Sequence, residues 1–134
     1  MTDKDAILAA NAAYYRAFGE ADFAAISEIW ADDDVSCVHP GWPALIGREA
    51  ILQSYRDILR NPMQEPIQHH DERALISGSE ARVFCTELIG GMALVAANWF
   101  RRINGAWRMI HHQASPLAPL VNEGASPPPS RVLN

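Results

Sequence analysis

"NWFRRINGAWRMIHHQAS", residues 98–115, holds two extended runs on either side of an Asn-Gly pair. Asn and Gly both tolerate positive φ, which the two central residues of a type I′ turn require, so the stretch reads as a β-hairpin with strands over 92–103 and 106–115. A two-residue turn at Asn104-Gly105 sets Ile103 opposite Ala106, Phe100 opposite Met109 and Asn98 opposite His111. Trp107, Met109, His111 and Gln113 then share a face with Asn98 and Phe100, an apolar base leading to polar groups, as suits a pocket wall. Arg108, Ile110 and His112 share the other face with Arg101 and Trp99. His111 is thus the histidine expected to look inward; a one-residue slip would exchange it for His112.

Upstream, 67–76 and 81–89 are two further strand-like runs joined by "SGSE", a turn composition. Helical patterns precede them. Thr2 with Asp5 three places on makes a capping-box start, and Ile7, Ala10, Tyr14 and Phe18 recur at helical spacing until Gly19. Asp22 caps a shorter helix carrying Phe23, Ile26, Ile29 and Trp30 on one side. "GREAILQSYRDILRN" predicts a third helix with Ile51, Tyr55, Ile58 and Leu59 inward, stopped by Asn61-Pro62. Between helices two and three, Val35, Cys37 and His39 alternate with Ser36 and Val38 in a short strand that Pro40 and Gly41 end. Helices first and strands afterwards predict an α+β fold, a bent antiparallel sheet with three N-terminal helices on one face.

The 134 residues suit one domain, expected over 1–120, with a loosely held Pro- and Ser-containing extension over 121–134. A net charge of −5 argues against broad binding of nucleic-acid phosphates. No apolar run reaches membrane-span length, and the polar, acidic N-terminus lacks the pattern of a signal peptide, so a cytoplasmic address is the expectation. Cys37 and Cys85 are then reduced core residues. His39, His69 or His70, His111 and Glu87 could in principle ligate a metal, but they lack chelating spacing, and neither a metal nor a cofactor is expected.

"WADDDVSCVHPGWPALIG", residues 30–47, followed by a third helix, and "NWFRRINGAW" followed by "IHHQAS" resemble the nuclear transport factor two-like superfamily in its SnoaL-like and ketosteroid isomerase-like branch. The likeness covers residues from about 5 to 116. It implies a cone, a cystatin-like α+β barrel whose open end is a pocket between a curved sheet and three helices, and it implies a homodimer. Function is less determined, since such cones host isomerases, cyclases, dehydratases and non-catalytic binding or assembly domains.

In ketosteroid isomerases of this fold a Tyr on the first helix and a protonated Asp hold the oxyanion, while a second Asp moves the proton. By that resemblance Tyr14 stands where the family's Tyr sits, His39 replaces the Asp base, and Asn98 replaces the acidic donor. His39 as base with Tyr14 and Asn98 as oxyanion donors would suit proton abstraction beside the carbonyl of a small apolar or aromatic ligand. Against each stands a plainer role: a turn histidine bonded to backbone, a core tyrosine, an amide satisfied by His111. Phe18, Trp42, Phe100, Met109, His111 and Gln113 are the expected lining. Glu87 shares parity with Ala81, Val83 and Cys85; an inward Glu87 would be a candidate acid or base, and an outward or mouth-rim position is favoured. The alternative to an enzyme is a non-catalytic ligand-binding domain or a dimeric assembly domain, its outer sheet face carrying Trp99 and Ile110.

Overall fold

The computed structural model describes residues 1–118. Helix α1 (Asp3–Gly19) starts with the capping box: Asp5 N–H donates to the Thr2 hydroxyl and Thr2 N–H to the Asp5 carboxylate. Helix α2 (Phe23–Ile29) is capped by the Asp22 carboxylate, which accepts from Ala25 N–H at 3.0 Å. Strand β1 (Ser36–Val38) and the two-residue strand β2 (Leu45–Ile46) precede helix α3 (Arg48–Arg60). Four long strands follow: β3 (Ile67–Ser77), β4 (Glu80–Ile89), β5 (Met92–Ile103) and β6 (Ala106–Pro116). The extension expected at 121–134 lies outside the described residues.

These strands make one curved, unclosed sheet in the order β2-β1-β6-β5-β4-β3. It is a mixed sheet, because β1 runs parallel to β6 while the hairpins β3–β4–β5–β6 are antiparallel. Strand β2 is too short to carry a period-two signal, and no pattern in the chain announces it. The last hairpin turns at Asn104 (φ 51°) and Gly105 (φ 82°), the signs that a type I′ turn requires.

The core lies between the sheet's inner face and the helices. Ile7, Ile26, Trp30, Ile51, Tyr55, Val83, Leu94, Phe100 and Met109 are fully buried there. Arg48 ties α3 to the end of α2 by donating to the Ser27 and Trp30 carbonyls at 2.7 and 2.8 Å, a cation at a helix C-terminus. That tie holds α3 against the strand that delivers His39. Among the described residues no helix is long and apolar enough to cross a membrane.

Candidate functional site

"HPGW" decides where two aromatic rings sit. Trp42 N–H donates to the His39 carbonyl at 2.9 Å, with Pro40 and Gly41 (φ 81°) between, the pattern of a type II turn. The turn brings the His39 and Trp42 rings to 5.0 Å, edge to face. His39 is buried, and its Nε2 lies 2.9 Å from Ser54 Oγ. Ser54 gives its own proton to the Ile51 carbonyl at 2.6 Å, so its oxygen accepts from His39. His39 therefore carries its proton on Nε2 and keeps a lone pair on Nδ1. Burial pushes the imidazole down to about 4, so the ring is neutral at pH 7.

A second network crosses from β6 to β4 behind the cavity. Asn98 Nδ2 donates to Asn11 Oδ1 at 2.8 Å and to the Tyr15 hydroxyl at 3.1 Å. Its Oδ1 must then accept, and His112 Nδ1 donates to it at 2.6 Å. The His112 proton is thereby placed on Nδ1, leaving Nε2 a bare acceptor. Burial, with His39 and His111 nearby, pushes His112 down to about 3. Tyr15 passes the chain on, donating to Glu87 Oε2 at 2.6 Å. The Glu87 carboxyl is buried, which raises it above the ordinary carboxylate range, while the Tyr15 bond and His69 pull it back.

These groups meet in a cavity of about 370 Å³. Tyr14, His39, Glu87 and His112 supply its polar surface; Phe18, Ile58, Ile67, Ile89 and Leu94 supply apolar wall. Pro40, Trp42, Asn61 and Met92, all exposed, mark its mouth. The His39 and His112 rings lie 6.2 Å apart, and the Tyr14 ring is 5.2 Å from His112. The Tyr14 and Tyr55 hydroxyls are hydrogen bonded at 2.6 Å, and burial keeps both protonated. Among the described residues no three His, Cys, Asp or Glu side chains converge as metal ligands. A groove of similar volume between α1, α2 and the β5–β6 hairpin is lined by alanines, Ile29, Trp107 and exposed or half-buried charged side chains. No buried titratable group faces it.

The structure brings together Tyr14, Phe18, His39, Trp42 and Glu87 as cavity residues, and places the other expected residues elsewhere. His111 and Gln113 face the opposite side of the sheet, where His111 bonds Ser36 at 2.7 Å and Gln113 at 3.1 Å. The inward histidine is His112. The cause is a bulge: Phe100 pairs with Met109 but Trp99 with His111, so Ile110 is an extra residue and the alternation inverts beyond it. Two apolar residues side by side, Met109-Ile110, both buried, are the trace it leaves in the sequence.

Asn98 stands one layer back, its amide spent on Asn11, Tyr15 and His112, so it offers no donor to the cavity. Phe100 and Met109 are core rather than lining. Glu87 lies inside rather than at the rim, 3% exposed. Tyr15 and Asn11 are residues the sequence reading does not find, and His112 stands there only as the alternative to His111. Asn11 and Tyr15 sit one helical turn apart on the inward face of α1, which is the signal that pairs them.

Comparison with known proteins agrees with this architecture. A candidate dehydratase of the NTF2-like family from Streptomyces avermitilis is 34% identical over 87% of this chain and 97% of its own, with a TM-score of 0.79. A candidate association domain of calcium/calmodulin-dependent protein kinase type II from Thiobacillus denitrificans is 30% identical over 82% and 94%, with a TM-score of 0.72. A cystatin-like fold protein from Caulobacter vibrioides, 20% identical over 87% and 90%, shares the fold with a TM-score of 0.76. Among curated proteins none matches the sequence significantly. The SnoaL-like domain is matched over residues 7–119, and the protein belongs to that family within the NTF2-like superfamily.

Proposed function

We propose that this SnoaL-like domain is a cofactor-independent proton-transfer enzyme of dehydratase or isomerase type, acting beside the carbonyl of a small, flat, largely apolar ligand. One observation carries the reading. A buried carboxyl, Glu87, is pinned by Tyr15 in a cavity that also presents two neutral imidazoles with fixed tautomers. Neutral His39 is a weak base because burial holds it near 4, whereas Glu87 is shifted toward the range where a carboxylate accepts a proton usefully. Glu87 is the base in this reading, in place of His39, which the family resemblance implies.

In this reading Glu87 takes a proton from the carbon next to the carbonyl. The C–H electrons form the carbon–carbon double bond of an enolate as the carbonyl π electrons move to oxygen, and the Tyr14 hydroxyl, when Tyr55 donates to it, holds that oxygen by a hydrogen bond. For dehydration, the protonated Glu87 then gives that proton to a β-hydroxyl group. The C–O bond breaks, water leaves, and Glu87 returns to carboxylate. For isomerisation the proton returns to a different carbon. Nδ1 of His39 and Nε2 of His112 are acceptors, so they select a ligand carrying hydroxyl or enol protons at its buried end. The similarity to the Streptomyces avermitilis protein supports the dehydratase form.

Solvent-deuterium exchange at the α-carbon tests it, using a panel of flat hydroxyketones and aromatic polyketide-like carbonyl compounds. Wild type is expected to exchange, Glu87→Gln to lose about 10²–10⁴-fold while still binding. A panel that neither exchanges nor perturbs the His39 and His112 ring signals overturns the proposal.

A second reading rests on the outer sheet face, where Trp99, Val95 and Leu75 are 38%, 41% and 50% exposed. Such a face suits a second copy of the chain, and the similarity to an association domain supports assembly as the main role. Under that reading Trp99→Asp changes the mass in solution and no small molecule engages the cavity.

A further inference from the structure

Strand β3 breaks its alternation at Asp71. His70 pairs with Thr86 and Arg73 with Phe84, so two residues, Asp71 and Glu72, stand opposite the single residue Cys85. Asp71 sits at φ 61°, in the left-handed region that costs a residue with a Cβ on the order of 1 kcal/mol. Burial follows the break: Ile67, His69, Glu72 and Ala74 are half-buried, while Gln68, His70, Asp71 and Arg73 are exposed. In a regular strand residues 69 and 72 would point to opposite faces. The bulge returns Glu72 to the face of His69, and its Oε2 lies 2.5 Å from His69 Nδ1.

That face is the cavity face. His69 is the cross-strand partner of Glu87. Its ring stacks on Tyr15 at 4.4 Å and 16°, the same Tyr15 whose hydroxyl holds Glu87 at 2.6 Å. Glu72, His69 and Tyr15 thus form a supporting chain from the edge strand to the buried carboxyl.

The geometry points to His69 and Glu72 as positioning residues: the pair, aimed inward by the Asp71 bulge, sets the charge state of Glu87 and braces the tyrosine that holds it. A positive charge on His69 draws Glu87 toward its ionised form, against the burial that opposes ionisation. Glu72 acts through His69, whose ring it holds at 2.5 Å. The other polar groups around Glu87 come from every packed element: Asn11, Tyr14 and Tyr15 from α1, Cys85 from β4, Asn98 from β5, His112 from β6 and His39 from the β1 turn. Burial keeps the two imidazoles neutral and the tyrosines and Cys85 protonated near pH 7. His69 and Glu72 stand apart from these groups, bonded to each other, with His69 directly across from Glu87 on the neighbouring strand.

The rate consequence rests on Glu87 as the proton-transfer group; the ionisation claim does not. The test is a carboxyl ¹³C NMR titration of Glu87 in wild type, His69→Gln, His69→Lys and Glu72→Gln, with the acid limb of the pH–rate profile measured alongside. His69→Gln is expected to move the Glu87 midpoint to higher pH, Glu72→Gln to move it less in the same direction, and His69→Lys to hold it near wild type. A lowered Tm with an unmoved midpoint in both Gln variants means a merely structural pair and overturns the inference. If His69→Gln fails to fold, Glu72→Gln, at a side chain still 24% exposed, decides alone. A midpoint that moves in an enzyme without turnover upholds the positioning and defeats the proton-transfer reading.

Discussion

His112 donates from Nδ1 to Oδ1 of Asn98 across the β5–β6 pair at 2.6 Å. Its direction is set from the far end of the network, because a Tyr15 that donates to Glu87 accepts from Asn98 Nδ2 and so leaves Oδ1 to His112. The same orientation makes Asn11 Oδ1 the amide's second acceptor. A neutral imidazole on one wall of the cavity and a carboxyl on another are therefore linked through one buried amide.

Asn98→Asp replaces that acceptor by a carboxylate beside the His112 N–H. An anion at hydrogen-bond distance favours the imidazolium, so the His112 midpoint is expected to climb from about 3 toward neutrality, read from its ring ¹⁵N shifts. Asn98→Leu instead strands Asn11 Oδ1 and His112 Nδ1 without a partner, removes the donor to the Tyr15 oxygen, and is expected to cost about 3 kcal/mol or more in urea unfolding.

Acid should unfold the protein from below neutrality. His39 and His112 are held at about 4 and 3, below their ordinary 6.5, so between those values the unfolded chain binds more protons than the folded one. Their contribution to stability is complete above about pH 6.5 and is lost as pH falls toward 4 and then 3. The loss is on the order of a few kcal/mol for each ring. Glu87 offsets part of this, because folded Glu87 holds its proton to higher pH than in the unfolded chain. Urea midpoints measured from pH 7.5 to 4 should fall in wild type and fall less in His39→Gln and His112→Gln.

Glu87→Gln should trade function for stability. A carboxyl raised in the folded state costs stability once pH exceeds its ordinary range, and an amide of the same shape still accepts from Tyr15. Calorimetry at pH 7.5 should show Tm rising by about 3 °C or more, with turnover lost. A lower Tm would mean that the ionised carboxylate is net stabilising.

Trp42 is 42% exposed at the cavity mouth and rests edge-on against His39. Trp42→Ala removes a stacking surface without opening the core. Ligand affinity measured by calorimetry should fall about tenfold while the urea midpoint stays nearly constant.

The fold was legible because its signals are local. The Thr2–Asp5 box, the Asp22 cap, Asn61-Pro62 after α3 and Asn104-Gly105 between strands each act within a few residues, and each stands where its chemistry requires. The cavity was legible in part. Phe18 and Trp42 follow from helix phase and the HPGW turn, while Tyr14 and His39 come from the family resemblance. Glu87 had the right parity, with Ala81, Val83 and Cys85, but a carboxylate inside a cone goes against its solvation, and composition does not announce the Tyr15 bond that makes it tolerable.

Sequence by itself determined the order of the helices and of every strand but β2, the hairpin at Asn104-Gly105 and the phase of α1. Tertiary structure decided which histidine enters the cavity. A strand's side chains alternate with period two, so one extra residue reverses every orientation beyond it: Ile110 moves His112 inward and His111 out, as Asp71 and Glu72 reset β3. A bulge forms where neighbouring strands and helices pack better around it. Met109, against Trp30, and Glu72, against His69, find those partners only once the chain has closed on itself.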